Sequence, residues 1–176
     1  MASATQAQKV IEIEVQGELR KVAKSLILTT VGLEPGVELS QENVQQAVRD
    51  LQGLNVFEDI QIYGDQKPEG IKLYIIVVEY PSLEGLRFKG QKNLKEKDMK
   101  EALALVTGQV IAPRDVVRGE QKILDLYREK GYLRAEVKGQ TFAGEEPGKI
   151  YVQYDIAEGS KVQIKQIRLV QRRADG

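Results

Sequence analysis

Five lysines crowd into "KGQKNLKEKDMK", residues 89 to 100, and two acid pairs stand side by side, Glu58 with Asp59 and Glu145 with Glu146. These are the residue types that could do chemistry, lysines over phosphates and paired carboxylates as general acid and base. Neither arrangement supports it. Neighbours on an extended strand face opposite ways, and a loop pair has no buried environment to drive two carboxyl pKa values apart. The lysine run also holds Glu96 and Asp98, which makes it a solvated helix start, with a nucleic-acid-binding patch as the rival reading from another class. Histidine and cysteine are absent, which excludes imidazole bases, thiolates, disulfides and the usual zinc ligands together. Gly85, Gly90 and Gly108 fit no GxGxxG, Walker or GXXG clamp. Tyr127 and Tyr132, beside a helix end, read as core and strand anchors. No catalytic residue, metal or cofactor is expected, and the chain reads as a non-enzyme.

The elements that would hold such groups are written twice. "VIEIEVQG" (10–17) aligns with "LEGLRFKG" (83–90), with Val10, Ile13 and Val15 matching Leu83, Leu86 and Phe88, and Gly17 matching Gly90. Each reads as a short strand closed by a turn glycine. A helical segment follows in both copies and is expected to end at a glycine, Gly32 and Gly108. Ser40 then caps a helix whose apolar stripe is Val44, Ala47, Val48 and Leu51. Its counterpart starts near Pro113 and Asp115, presents Val116, Ile123 and Tyr127, and stops at Gly131. In both copies the period then changes from helix to strand, and a proline-glycine loop leads to the most apolar segment, "IKLYIIVVEYP" or "KIYVQYDIAEG". Residues 75–78, "IIVV", are apolar at every position, as a central strand covered on both faces would be. The order is strand, helix, helix, strand, strand, twice, and "IKQIRLV" (164–170) opens the pattern a third time.

Composition agrees with this organisation. The 176 residues are 41% apolar and 30% charged, enough for two small packed domains with a solvated surface. Lys plus Arg equals Asp plus Glu at 26 each, so no whole-molecule field draws the chain to nucleic acid or an anionic membrane. No apolar run approaches the roughly 20 residues of a membrane-spanning helix. "MASATQAQ" lacks the basic start and apolar centre of a signal peptide.

The junction "VVEYPSLEGLRFKGQKNL" (77–94), with "GLNVFEDIQI" (53–62) and "LYREKGYLRAEV" (126–137), resembles the POTRA domains of BamA-type outer-membrane assembly factors. The resemblance covers about residues 10 to 170 and is closest to the first two domains of that array. Glu79, Pro81, Leu83, Leu86, Phe88 and Gly90 match in place, whereas Gln91 stands where the family usually has Asn and Gln171 where a third copy would have Gly. The resemblance implies an α+β fold of two tandem β-α-α-β-β domains, each a three-stranded mixed sheet covered by two helices. Residues 1–9 would be a leader, 10–81 and 82–161 the two domains, and 162–176 the first strand of a truncated third repeat with a tail. It also implies a periplasmic location, or an organelle intermembrane space in a eukaryote, with membrane attachment only through a C-terminal barrel absent here. The implied function is an interaction module that receives unfolded outer-membrane proteins and docks accessory assembly lipoproteins or periplasmic chaperones. The POTRA region of a two-partner secretion or chloroplast import channel is the alternative within the family.

On this reading binding falls to the backbone. A three-stranded sheet has two edges of unpaired N–H and C=O groups, and an extended segment can add to either. The resemblance implies that the second strand of each copy, residues 58–63 and 133–139, is the accepting edge. Its residues are Glu58, Asp59, Ile60, Gln61 and Ile62 in the first copy and Leu133, Arg134, Ala135, Glu136 and Val137 in the second. The charges among them equally read as protection of an edge against pairing. Tyr80, Pro81 and Ser82 form the expected interdomain linker. With the boundary at Pro81, residues 1–81 and 82–170 are each expected to unfold cooperatively when expressed alone, followed by circular dichroism; a molten or insoluble half would place the boundary elsewhere.

Overall fold

The computed structural model describes residues 8–162. They form two compact units, residues up to Ser82 with Val110–Ala112, and Leu83–Gln109 with the residues from Pro113 onward. The expected third-repeat strand at 164–170 lies outside the described residues.

The first unit runs β1 (Gln8–Gln16), α1 (Lys24–Val31), β2 (Glu38–Leu39), α2 (Gln41–Gly53), β3 (Phe57–Lys67) and β4 (Gly70–Glu79). Its sheet has the order β2-β1-β4-β3. β1 runs parallel to β4 and β3 antiparallel to it. β4 is central because it pairs with β1 on one side and β3 on the other, and its alternation points Ile71, Leu73, Ile75 and Val77 into the core. Only one face is covered, however, and Val78 on the other is 45% exposed. On the open face Lys72 sits 2.9 Å from the carboxylates of both Glu12 and Glu14 and lies over the Tyr74 ring. The first sheet has four strands rather than three, because Glu38 and Leu39 pair with Lys9 and Gln8. The capped start of α2 holds them extended there: Ser40 Oγ accepts from the Asn43 N–H at 3.1 Å, and Asn43 Oδ1 accepts from the Ser40 N–H at 2.9 Å.

The second unit contains β5 (Ser82–Lys89), α3 (Glu96–Leu103), α4 (Pro113–Glu129), β6 (Glu136–Ala143) and β7 (Lys149–Ala157), with the sheet order β5-β7-β6. β6 is antiparallel to β7. α4 buries Val116, Ile123 and Tyr127, the stripe its sequence spacing predicts, and Gly119 with them. Two boundaries differ from expectation. α3 stops at Leu103, not at Gly108, because Ala104 takes the left-handed conformation at φ 53° and the Leu83 backbone bonds to Gly108 and Gln109. β6 starts at Glu136, not at Leu133. Tyr132 turns back onto α4, its N–H donating to the Tyr127 carbonyl at 2.9 Å and its ring meeting Tyr127 edge-on, and the Ala135 N–H closes the turn on the Tyr132 carbonyl.

Each unit is tied at the end of its last strand by a buried carboxylate. Glu79, 4% exposed, accepts from the backbone N–H of Val22 at 2.8 Å and of Arg20 and Lys21 at 3.2 Å, which fixes the loop before α1. Glu158, 8% exposed, accepts from the N–H of Lys92 at 2.6 Å and of Asn93 at 2.8 Å, from the Asn93 side-chain amide, and from the Tyr127 hydroxyl at 2.8 Å. Burial pushes the Glu158 carboxyl upward, but the donors around it outweigh burial and bring it down to about 2. Burial, reinforced by the hydrogen bond to Glu158, in turn raises the Tyr127 phenol.

Two measurements follow from these contacts. Gly131 sits at φ 89°, where a side chain is strained, so Gly131→Val is expected to cost on the order of 1–2 kcal/mol in thermal unfolding. An unchanged Tm would show that the helix can end without that conformation. Glu158→Gln is expected to cost about 1.5–3 kcal/mol at neutral pH. Because the folded carboxyl titrates below its ordinary 4.5, its contribution is complete above that value and fades as pH falls toward about 2. Wild type and Glu158→Gln should therefore converge in denaturant stability across that window, and a constant gap would contradict the clamp.

Candidate strand-binding edges

Strand order leaves β3 at one margin of the first sheet and β6 at one margin of the second. Which of their backbone groups face outward follows from register. β3 and β4 are joined by the two-residue turn Pro68–Glu69, so Lys67 and Gly70 close the ladder, and residues pair as Asp65↔Lys72, Tyr63↔Tyr74 and Gln61↔Ile76. The odd-numbered residues thus point their N–H and C=O groups at β4, and the even-numbered ones, Ile60, Ile62, Gly64 and Gln66, point theirs away. The Ile60 N–H bears this out, donating at 2.9 Å to the side chain of Asp59 instead of to β4. Among the described residues, no partner takes the outward groups of Ile62, Gly64 or Gln66.

The five expected residues of the first edge all fall on β3, in different roles. Glu58 is the extra residue of a bulge between Phe57 and Asp59 and is exposed. Asp59 shields the first outward N–H. Ile60 and Ile62 tuck their side chains against the core while offering their backbone outward. Gln61 faces the ladder, and its side chain joins a surface chain in which the Tyr63 hydroxyl donates to Gln61 Oε1 and Gln61 Nε2 donates to Asp59 Oδ2, each at 2.6 Å. Sequence reasoning missed Gly64 and Gln66 because it stopped the strand short; β3 runs on to Lys67.

In the second unit the expected edge is displaced. Leu133, 60% exposed, and Arg134 lie in the turn after α4, and Ala135 just precedes the strand, so none of the three is available for strand pairing. Glu136 and Val137 do lie on β6, opposite Ala157 and Ile156. The Gly144 N–H donates to Lys149 across the strands, so the even-numbered residues here face β7 and Val137, Gly139, Thr141 and Ala143 face outward. The Gly139 N–H is already taken: it donates at 2.7 Å to the Glu120 carboxylate of α4. Below Gly139 lies the buried Tyr154, whose phenol is raised first by burial and then by the charges of Glu120 and Asp115. A groove of about 600 Å3 beside β6 is lined by Glu120, Val137 and Lys138 with Lys89 and Asp155.

The remaining candidates have structural surroundings. Tyr80 donates its N–H to Val56, the Pro81 carbonyl accepts from Ile111, and Ser82 is buried at the start of β5. In the lysine run, Lys97 and Lys100 on α3 face Glu101 and Glu96 one turn away. Glu58, Asp59, Glu145 and Glu146 are exposed, and the described residues contain no acidic cluster able to hold a metal ion.

Comparison with known proteins finds the same tandem fold. The family model described as "POTRA: Surface antigen variable number repeat" matches residues 8–80 and again 81–159. The outer membrane protein assembly factor BamA of Nitratidesulfovibrio vulgaris is 21% identical over 165 residues, which is 94% of this chain and 21% of the length of that protein. The chain thus spans about a fifth of that curated relative. Among solved structures, the N-terminal domain of Omp85 from Thermosynechococcus elongatus superposes with a TM-score of 0.63 at 24% identity, covering 86% of this chain and 63% of that one. The POTRA1-2 structure of Omp85 from Anabaena gives 0.56 at 22% identity, covering 87% and 96%.

Proposed function

Since the chain belongs to the POTRA family and carries two copies of that non-catalytic domain in tandem, we propose that it is the periplasmic interaction module of an outer-membrane β-barrel assembly factor. It receives unfolded outer-membrane proteins and docks accessory subunits by adding their extended segments to its sheet edges. The open margin of β3 carries this reading: Ile62, Gly64 and Gln66 offer alternate donors and acceptors to a new strand, with main-chain bonds supplying affinity indifferent to client sequence. The flanking side chains set a light preference. A strand laid against β3 meets Ile60 and Ile62 on its helix-side face and Asp59, Gln61 and Tyr63 on the other, so it should alternate apolar and polar residues, the pattern of a barrel strand. No helix among the described residues is long and apolar enough to cross a membrane.

The test removes one outward donor without disturbing the β3–β4 ladder. Gln61 and Glu136 do not qualify, since both face their partner strands. Gln66 is exposed and faces outward, so Gln66→Pro deletes an edge N–H while Gln66→Ala keeps it. Crosslinking to an unfolded barrel-strand peptide should fall about five- to tenfold with Pro, as expected for one or two main-chain hydrogen bonds, and stay near wild type with Ala. Circular dichroism would confirm the retained fold. Equal loss from both variants would point to side-chain recognition, and no loss from proline would remove β3 from the mechanism.

A further inference from the structure

The two sheet edges differ at their centres, and the difference can be traced to two pairs of equivalent residues. Leu51 stands four residues before Asn55, which is left-handed at φ 58°, and Tyr127 stands four residues before Gly131, left-handed at φ 89°. The N–H of Asn55 donates to Gln52 and that of Gly131 to Arg128, so the two helix ends correspond residue by residue. Counting back, Val44 of α2 occupies the place of Glu120 in α4. The sheets correspond through their clamps: Ile75 precedes Glu79 by four residues as Tyr154 precedes Glu158, and their partners across the ladder are Ile62 and Gly139. Where the second domain has a carboxylate bonded to a glycine N–H, the first therefore has a valine and an isoleucine.

The contact in the second domain is built by close approach. A Cβ on Gly139 would collide with Val116 of α4, and one on Gly119 would collide with the Tyr154 hydroxyl. The two glycines let α4 settle against β6, and Glu120, next to Gly119, reaches the strand margin. We infer that Glu120 is an internal plug for the β6 edge, occupying at Gly139 the acceptor position that a carbonyl of an added strand would take. An ionised acceptor makes the stronger hydrogen bond, so an incoming peptide carbonyl must displace a better partner than itself. Strand addition consequently selects β3, and β6 becomes an acceptor only when the carboxylate moves into the neighbouring groove. The preferred ligand is an extended segment of alternating apolar and polar residues, docked across Ile62 and Gly64. This rests on the proposed strand-addition function and specifies which domain performs it.

The absence of native cysteine permits a direct test on the whole chain. A synthetic peptide of alternating apolar and polar residues with one cysteine is offered to Gln66→Cys, which reports on β3, and to Thr141→Cys, which reports on β6. Disulfide capture is expected at β3 and not at β6 in the Glu120 background. Glu120→Ala should raise capture at β6 by about five- to tenfold, while Glu120→Gln, which keeps an acceptor oxygen, should raise it less. Gly139 amide exchange should accelerate in the Ala variant, and Glu120→Asp, whose shorter side chain withdraws the carboxylate, serves if Ala fails to fold. The reciprocal pair Val44→Glu with Ile62→Gly should lower capture at β3. Equal capture at both edges with Glu120 present, or capture at β3 with β6 unmoved by every Glu120 variant, would overturn the plug and leave the strand-addition function standing. Capture at neither edge would overturn both.

Discussion

A buried carboxylate that terminates the last strand holds each domain in its shape, Glu79 in the first and Glu158 in the second. Burying a charge is tolerable only when donors surround it, and here the donors are backbone N–H groups of the loop that leads from the first strand to the first helix. That loop would otherwise leave polar groups unsatisfied beside the core. The carboxylate therefore ties the sheet's central strand to the entry of the helical layer. In the second domain the same group accepts from Tyr127, so it also fixes the last turn of α4. The stop at Gly131 and the turn at Tyr132 follow from there, and with them the point at which β6 can begin.

With the central strand fixed, function moves to the margins. A strand that is central in its sheet has both rows of backbone groups paired, while β3 and β6 each keep one row turned outward. Such rows invite any extended chain, and proteins usually shield them with charge or cover. Among the described residues β3 is shielded only at its start, by Asp59 on the Ile60 N–H, and is open further along. β6 is shielded at its centre by a carboxylate from its own helix. The same architecture thus presents two edges of different accessibility, and the difference stems from side chains on the helices as much as from the strands.

The paired glycines show how a fold common to both copies accommodates this. At Gly119 and Gly139 the second domain gives up two side chains so that helix and strand can approach around the large Tyr154 ring. The first domain fills the corresponding strand position with Ile62, and its helix carries Val44 where a carboxylate would be needed. One domain trades an apolar contact for a polar bridge across the sheet margin, with the order of elements unchanged.

Much of this was written in the sequence, because periodicity and turn chemistry are local. The repeat, the order of elements, the Ser40 cap and the stripe of α4 all rest on residues within a few positions of one another, where hydrogen bonds and side-chain spacing are set by the chain itself. The excluded chemistry was equally legible, since a missing histidine or cysteine cannot be supplied by folding. What the tertiary structure alone decided depends on partners far apart in the chain. Glu79 meets Val22, Glu158 meets Lys92, and Glu120 meets Gly139 across 57, 66 and 19 residues, so no local pattern marks any of them as an acceptor. The late start of β6 follows at one remove, since Tyr132 turns back onto a Tyr127 that Glu158 holds from 31 residues away. The outward faces of β3 depend on where the loop "QKPEG" turns, because a shift of one residue in register exchanges inward for outward groups, and the two-residue turn that fixes it is seen only with β3 and β4 paired.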